Sequence, residues 1–358
     1  MKDLVILCDW LPPDYGAVGQ YALQYARQRA SGGEDVVLYG LTSDASFAER
    51  EAIGGDSLRT VRLHAPPRER AWWTLRTSVQ LVFRALPDIR RSRELMFTGS
   101  PSLLLHFLAP LNLLLRRKLT YRITDFFPEA LIAELGGRTP WYLGALQWLT
   151  VFWRKRVDQI EVLGEDQRRR LLEMGLNAKK IVLRRDTAPL VVAPDSAPLT
   201  RPAALQGKKI LLYSGNFGVA HDHETFLAGY RKHHREGSAM VTLWLNATGA
   251  KAETLKRALE AENLPLHRTR PVPLQELPSL LVTADAHLIT LRDKFWGYVL
   301  PSKVYGCIDS GKPILYIGPQ ESDVHLLCDA KSTPGEYTRA ANDDAEAVFR
   351  ALEKLATD

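Results

Sequence analysis

Short apolar runs alternate with amphipathic stretches along the first half of the chain. Residues 4–8 are continuously apolar, 19–31 have helical spacing, and 35–39 form the next apolar run, with a glycine-containing turn at 12–16. Strand, turn, helix and strand in this order form a βαβ unit, which predicts a parallel sheet. Further elements are predicted as strands at 94–97, 120–123, 159–163 and 180–183 and as a helix at 165–174.

A second series of the same kind begins after residue 205. Residues 189–204 are rich in Pro, Ala and Ser without periodicity, which is typical of a linker. Beyond it, strands are predicted at 209–213, 241–245, 286–290 and 313–317, and helices at 252–262 and 341–355. We therefore predict an α/β protein of two Rossmann-like domains, 1–190 and 205–335, that face a cleft, because ligands bind at the carboxyl ends of such sheets.

Length and composition agree with two globular domains. The chain has 358 residues, of which 46% are hydrophobic and 25% charged, which excludes disordered, collagen-like and coiled-coil classes. Its three cysteines lack C-x-x-C spacing, so neither a disulfide framework nor a zinc site is indicated, and a reducing compartment is favoured. The first apolar run is too short for a signal peptide, so we expect a cytoplasmic protein.

The stretch 95–115 carries no formal charge and is long enough to cross a bilayer. Gly99, Ser100, Pro101 and Pro110 interrupt it, however. These residues favour a strand, a turn and a buried helix over a membrane span.

The net charge of +6 favours an anionic partner. Arginines alternate with tryptophans and other apolar residues at 66–95, and aromatic residues precede three basic ones at 141–156. This pattern is what contact with an anionic membrane surface requires, although a helix pair with aromatics in the core and solvated arginines would also produce it. Nucleic acid is not expected as a partner, because no known nucleic-acid-binding motif accompanies the charge.

Several motifs of cofactor and metal enzymes are missing. Gly16 and Gly19 follow the first strand without completing G-x-G-x-x-G, which disfavours NAD, so they either approach a ligand or form a tight turn. The chain has no Asp-x-Asp, H-E-x-x-H or Walker sequence, which argues against a metal-centred hydrolase and a P-loop NTPase. We therefore expect neither a metal nor a resident cofactor.

Two segments of the second domain favour an anion. Gly215 and Gly218 flank Asn216 after a strand, where backbone N–H groups could approach a phosphate. The polar residues 221–224 are either metal ligands or the start of a helix, and the latter is favoured because neighbouring side chains point apart.

The sharpest segment is 291–306. Its predicted loop carries Arg292, and Pro301 suits a helix start that places Ser302 and Lys303 in the first turn. A lysine there opposes the helix dipole, which indicates either a bound diphosphate or a solvated surface lysine.

These segments together resemble the family-4-like glycosyltransferases of the GT-B fold, in particular the bacterial group that builds exopolysaccharide and other surface glycans. The resemblance covers 4 to about 318 and is carried by Pro12-Pro13-x-x-Gly16-x-x-Gly19, Thr124-Asp125-Phe126-Phe127-Pro128-Glu129, Tyr213-Ser-Gly-Asn-Phe-Gly218-x-x-His221-Asp222, and Val299-Leu-Pro-Ser-Lys303-x-Tyr305 through Gly311-Lys-Pro313. It implies a hexosyltransferase that is usually retaining and metal-independent. The donor, a nucleotide-diphosphate sugar, would bind the C-terminal domain and the acceptor the N-terminal one, with the helix at 341–358 packing back on the N-terminal domain.

One departure concerns the paired glutamates E-x7-E of many family members. Their positions here are Tyr298 and Gly306, so the ribose grip credited to the second glutamate is missing.

The resemblance and the motifs assign roles to twelve residues. Asp125 and Lys303 are the predicted catalytic residues, although Asp125 could instead cap a helix or serve the fold. The other predicted contacts are, on the donor side, Gly16, Gly19, Gly215, Asn216, Gly218, Arg292, Ser302, Lys303 and Tyr305, and on the acceptor side Asp14, Asp125 and Glu129. We expect a polyprenyl-linked glycan acceptor and a peripheral location on the inner membrane face; a sugar-nucleotide epimerase and a non-catalytic binding subunit are the alternatives.

Overall fold

The computed structural model describes residues 1–14, 16–47, 52–53, 57–65, 71–188, 190–331 and 336–357. These residues form two compact units, Met1–Arg185 and Asp186–Asp358. Most of the expected linker therefore lies in the second unit, where the Leu199 amide donates a hydrogen bond to Thr283 Oγ1 at 2.8 Å. Residue 189 lies outside the described residues.

The first unit is built on one mostly parallel sheet in the order β3-β4-β2-β1-β5-β6-β7-β8, in which only the short β3 pairs antiparallel. Its elements are β1 (Lys2–Trp10), α1 (Ala17–Ser31), β2 (Val36–Thr42), β3 (Ala52–Ile53), β4 (Leu58–His64), α2 (Ala71–Arg90), β5 (Ser92–Thr98), α3 (Leu104–Leu115), β6 (Lys118–Arg122), α4 (Glu129–Leu135), α5 (Trp141–Arg154), β7 (Gln159–Val162), α6 (Glu165–Glu173) and β8 (Ile181–Leu183). The predicted strands of this half and the parallel sheet are confirmed.

The apolar run of β1 explains its central position. Its residues 4–8 are completely buried, as a strand covered on both faces requires. At its carboxyl end α1 approaches so closely that a Cβ atom on Gly19 would lie 1.7 Å from the carbonyl oxygen of Trp10. Gly19 is therefore required for packing.

The uncharged stretch divides as predicted. It supplies most of β5, a turn at Gly99–Pro101 and the twelve-residue α3, whose buried face carries Leu104, Leu105, Leu108 and Ala109. Within the described ranges, no helix is both long and apolar enough to cross a membrane.

The second unit has a wholly parallel sheet in the order β11-β10-β9-β12-β13-β14. Its elements are β9 (Lys209–Asn216), α7 (Glu224–Glu236), β10 (Val241–Thr248), α8 (Ala250–Ala261), β11 (Leu266–Thr269), α9 (Leu277–Thr283), β12 (Ala286–Thr290), α10 (Lys303–Asp309), β13 (Ile314–Ile317), α11 (Asp323–Lys331), β14 (Tyr337–Ala340) and α12 (Ala345–Thr357). Each unit is thus Rossmann-like. Because β9 and β12 are neighbours, the loops that follow them leave the same edge of the sheet.

The last helix corrects one expectation. The resemblance implied that it packs on the N-terminal domain, but Val348 and Leu352 of α12 belong to the core of the second unit. The helix packs against α7 there, and a Cβ atom on Gly229 would lie 2.5 Å from Val348. The amphipathic pattern predicted the helix, but the surface that buries its apolar face is a property of the tertiary structure.

Candidate functional site

Lys303 is the first residue of α10, and its side-chain nitrogen is buried. The residue is half-buried, but its ammonium nitrogen is shielded from solvent and has no hydrogen-bond partner among the described residues. The nitrogen lies 3.2 Å from the centre of the Tyr213 ring, a cation–π contact. Burial lowers the pKa of Lys303 well below its usual value, and nearby Cys307 opposes this only in part. An anion beside this nitrogen would satisfy it.

The glycine loop after β9 borders Lys303. Gly215 has a φ angle of +113°, which favours glycine, and a Cβ atom there would lie 3.8 Å from Lys303 Cε. The side chain of Asn216 is exposed, whereas Gly218 is half-buried next to it. The structure therefore brings two predicted donor segments, 215–218 and 302–303, together at one edge of the sheet.

The loop after β12 joins the same edge. The Arg292 amide donates to the Ala220 carbonyl at 2.8 Å, and its half-buried guanidinium has no carboxylate partner within the described ranges. Asn342, which follows β14, holds this loop by donating to the Leu291 carbonyl at 3.2 Å and to Asp222 at 2.6 Å. The loop thus keeps Arg292 in place next to the glycine segment.

His221 and Asp222 have structural partners, as the favoured interpretation predicted. His221 Nδ1 lies 2.6 Å from the carbonyl oxygen of Thr290, so Nδ1 carries the hydrogen and Nε2 is the acceptor. Burial, with Lys303 as the second cause, lowers the pKa of His221 to about 3, which keeps the ring neutral. Asp222 accepts hydrogen bonds from the Glu224 and Thr225 amides at the start of α7. No group of three or more metal-ligating side chains occurs in the described part of the chain.

The other predicted donor residues of α10 differ in accessibility. Ser302 is half-buried at the helix start and its side chain makes no capping hydrogen bond. Tyr305 is only 6% exposed and lies in the core, so its ring is not positioned as an exposed ligand contact. Gly306 is buried, and a Cβ atom there would lie 3.1 Å from Leu281 Cδ1, so a larger residue would require Leu281 to shift.

In the first unit, two carboxylates and a serine lie at the carboxyl ends of three adjacent strands. Asp9 lies at the end of β1, Ser100 follows β5 and Asp125 follows β6. The Ser100 hydroxyl donates to Asp9 Oδ2 at 2.5 Å. Burial raises the pKa of Asp9 to about 6, while the Ser100 hydrogen bond opposes the rise. Sequence reasoning missed Asp9, although its position directly after the buried run of β1 was a signal.

Asp125 has the properties of a group that meets a ligand. Its side chain reaches solvent and accepts no hydrogen bond from any described residue. The protein packed around it nevertheless excludes enough water to raise its pKa to about 6, with the negative charge of Asp9 as the second cause. A carboxyl group of that pKa is ionised at neutral pH yet basic enough to accept a proton.

Glu129 is placed differently from the expectation. It is 2% exposed and forms a two-pronged ion pair with Arg154, at 2.6 and 3.1 Å. Arg154 is completely buried and also donates to the Phe127 carbonyl at 3.1 Å. The pair therefore holds the loop that carries Asp125, and Glu129 has no carboxylate oxygen facing an acceptor.

The remaining predicted residues lie around the β1–α1 loop. Asp14 Oδ2 accepts the Ser43 amide at 3.1 Å, which ties this loop to the one after β2. Gly16 precedes the first turn of α1, and Gly19 serves the close packing described above. Gly16 and Gly19 belong to the first unit, whereas the other predicted donor contacts belong to the second.

The basic aromatic surface comprises the exposed side chains of α2, α3 and α5, with α3 packed against both of the other helices. Its apolar members include Phe83, Leu114 and Trp141, which are 71%, 82% and 83% exposed. Basic residues follow α3 at 116–118 and α5 at 155–156. The first five residues of the predicted basic aromatic stretch 66–95, residues 66–70, lie outside the described ranges.

Comparisons with known proteins give one curated relative and many similar structures. No protein-family profile matches the chain. "Probable glycosyltransferase WbjE" of Pseudomonas aeruginosa is 26% identical over 258 residues, which are 70% of this chain and 63% of WbjE. The match thus spans less than two thirds of that relative.

Two solved structures show the fold over the whole chain. Sucrose-phosphate synthase of Thermosynechococcus elongatus superposes with a TM-score of 0.69 at 15% identity, covering 100% of this chain and 90% of that one. Anabaena HepE in complex with UDP and glucose gives 0.65 at 11% identity, covering 100% and 92%. The chain therefore has the GT-B fold and is related in sequence to a bacterial glycosyltransferase.

Proposed function

We propose that this protein is a hexosyltransferase that moves a sugar from a nucleotide-diphosphate sugar to a glycan acceptor, with retention and without a metal. The observation that carries the proposal is the Lys303 ammonium group, which is shielded from solvent, has no hydrogen-bond partner among the described residues and lies next to the Gly215 loop. Burial of an unpaired cation is costly, so a site that maintains one is suited to an anionic ligand. Arg292 adds a second cation from the adjacent loop.

Glycosyl transfer explains why such cations are needed. As the bond between the anomeric carbon and the phosphate oxygen breaks, negative charge develops on the departing nucleoside diphosphate, and fixed positive charges stabilise it. The acceptor hydroxyl forms the new bond to the anomeric carbon and loses its proton. Asp125, exposed and without a hydrogen-bond partner among the described residues, is the group that we assign to contact or deprotonate this hydroxyl.

The basic aromatic surface supports a lipid-linked acceptor. Exposed tryptophans at headgroup depth and cations beside anionic lipid would hold the protein on the inner face of the membrane. A polyprenyl-linked glycan, as in the synthesis of exopolysaccharide or another surface glycan, is the acceptor class that such a location serves.

One observation keeps a second candidate open. Gly306 takes the position of the second glutamate of many family members, so the glutamate has no counterpart here. A non-catalytic subunit that binds a glycan or a partner enzyme would tolerate this loss, and a sugar-nucleotide epimerase remains the alternative enzyme.

Nucleotide release separates these functions. The protein is incubated with UDP-glucose and a panel of other nucleotide sugars, with and without a prenyl-diphosphate-linked sugar. A transferase releases nucleoside diphosphate in a manner that depends on the acceptor. Conversion of the nucleotide sugar without any acceptor would favour the epimerase, and an absence of turnover with intact nucleotide binding would favour the binding subunit.

Sedimentation with liposomes tests the membrane location. We expect binding to phosphatidylglycerol vesicles at low salt and release at high salt, because each cation near the surface contributes about 1 kcal/mol. Trp148→Ser should weaken this binding, whereas Leu326→Ser, an exposed apolar residue of the second unit, should not. Equal binding to neutral and anionic vesicles would contradict the electrostatic argument.

A further inference from the structure

A groove runs between β4 and α2 in the first unit. Its larger part has a volume of about 550 Å³ and its smaller part about 200 Å³, and both parts share His64 and Gln80 as lining residues. The volume of the larger part lies in the range of small-molecule sites, about 300 to 1,000 Å³. Neither the assigned donor residues nor the assigned acceptor residues line this groove.

The groove combines positive charge with aromatic surface. Arg62, Arg76 and Arg84 line it, and no acidic side chain does so among the described residues. Phe83 and Trp72 supply apolar walls. Such a lining fits an amphiphile with a phosphate head and an apolar tail, because guanidinium groups bind phosphate oxygens in pairs of hydrogen bonds.

Arg62 distinguishes the groove from a flat membrane contact. The residue is half-buried, and its Nε is shielded from solvent and has no hydrogen-bond partner within the described ranges. Burial lowers the pKa of Arg62, and Asp14 opposes this effect. A planar lipid surface would meet the exposed Phe83 and Arg76, whereas Arg62 is a half-buried residue in the lining of the groove.

The inner end of the groove adjoins the loop that leaves β1. Arg62 Nη2 donates to the Pro12 carbonyl at 3.1 Å, and Trp73 of the groove stacks on Trp10 with ring centres 5.6 Å apart. Trp10 directly follows Asp9, at the sheet edge that also carries Asp125. The smaller part of the groove, at Trp73, therefore adjoins the carboxyl end of β1.

From this arrangement we infer that the groove binds the phosphate or diphosphate of the lipid carrier of the acceptor, with the first part of the lipid chain against Phe83 and Trp72. The inference rests on the proposed function and specifies its acceptor: a sugar on a prenyl phosphate, anchored by that phosphate in the groove. Bulk anionic phospholipid is the competing occupant that the experiment must exclude.

Calorimetric titration with farnesyl diphosphate below its micelle concentration tests the groove. The titrations use the full chain carrying Lys303→Met, so that the proposed donor diphosphate contact does not contribute. In that background Arg76→Gln removes an exposed groove cation, and Arg90→Gln removes an exposed cation of the same helix outside the groove. We expect Arg76→Gln to weaken farnesyl diphosphate binding about tenfold and Arg90→Gln to leave it unchanged.

Two shorter probes and one further variant complete the test. Farnesol and inorganic diphosphate should each bind far more weakly than farnesyl diphosphate, and Phe83→Ser should weaken only the probes that contain the farnesyl chain. Equal losses in Arg76→Gln and Arg90→Gln, matched by equal losses on phosphatidylglycerol liposomes, would mean a general membrane effect and would overturn the inference.

Release of UDP from the donor is measured separately, in the parent protein. Acceptor-dependent release of UDP without any effect of Arg76→Gln on farnesyl diphosphate would refute the groove and leave the transferase standing. Groove binding in a protein that neither binds nor releases any nucleoside diphosphate would support the groove while refuting the proposed function.

Discussion

Replacement of Lys303 by methionine gives a sharp test of the donor site, because it keeps the length of the side chain and removes only the charge. In the unliganded protein the ammonium group has no hydrogen-bond partner in the described part of the chain, which costs about 1 to 3 kcal/mol. Its contact with the Tyr213 ring returns about 1 to 2 kcal/mol. The two effects nearly cancel, so Lys303→Met should be at least as stable as the parent protein.

The balance changes when a diphosphate binds. Opposite charges about 4 Å apart attract by about 4 kcal/mol at an effective dielectric constant of about 20, and charge-assisted hydrogen bonds contribute about 1.5 to 3 kcal/mol each. After desolvation, we expect the substitution to cost about 2 to 4 kcal/mol, which is about 30-fold to 700-fold in affinity. The loss of turnover should be at least as large, because charge grows on the leaving group.

The assay is calorimetric titration of UDP and GDP into the parent protein, Lys303→Met and the control Lys312→Met, with thermal unfolding measured on the same samples. The dependence on pH gives a second readout. Since burial lowers the pKa of Lys303, binding of a diphosphate should take up a proton, and affinity should fall as the pH rises above that lowered pKa. Lys303→Met should lack this slope. Parent-like affinity in Lys303→Met would place the phosphate site elsewhere and refute the reasoning.

Three further predictions concern the first unit and the metal. Asp125→Asn should lower turnover without weakening UDP binding, and normal turnover with weak UDP binding would assign the residue to the donor instead. The turnover of the parent protein should fall below about pH 6, because the carboxyl group of Asp125 is then protonated. Because the folded pKa of Asp125 is raised, its ionisation between pH 3.8 and about 6 lowers the free energy of unfolding, so the same variant should not be destabilised at neutral pH. Arg154→Met should cost about 3 to 5 kcal/mol in urea unfolding by leaving Glu129 buried and unpaired, and Glu129→Gln in addition should recover much of the loss, whereas additive losses would argue against a coupled pair. Turnover should survive EDTA, and a complete loss that Mn²⁺ or Mg²⁺ restores would disprove metal independence.

Much of the fold was readable from local pattern. Strand and helix periodicities depend on neighbouring residues alone. The sequence therefore predicts the buried run of β1, the helical spacing of α1 and the second series that begins at β9. The division of the uncharged stretch 95–115 into a strand, a turn and a helix was also predictable, because its glycine and prolines interrupt it in any fold. The motif residues Gly215, Arg292 and Lys303 could likewise be placed at one edge of the second sheet, because they follow the carboxyl ends of parallel strands.

The tertiary structure decided which polar groups have partners. No local pattern distinguishes Glu129, buried against Arg154, from Asp125, which reaches solvent four residues earlier. Asp9 and Asp125 are far apart in sequence, and their electrostatic coupling exists only because β1, β5 and β6 are adjacent. The same holds for α12, whose amphipathic pattern fixes a buried face but not the surface that buries it. Periodicity is a property of the backbone, whereas burial and charge compensation depend on contacts between residues distant in sequence, and so only the folded chain determines them.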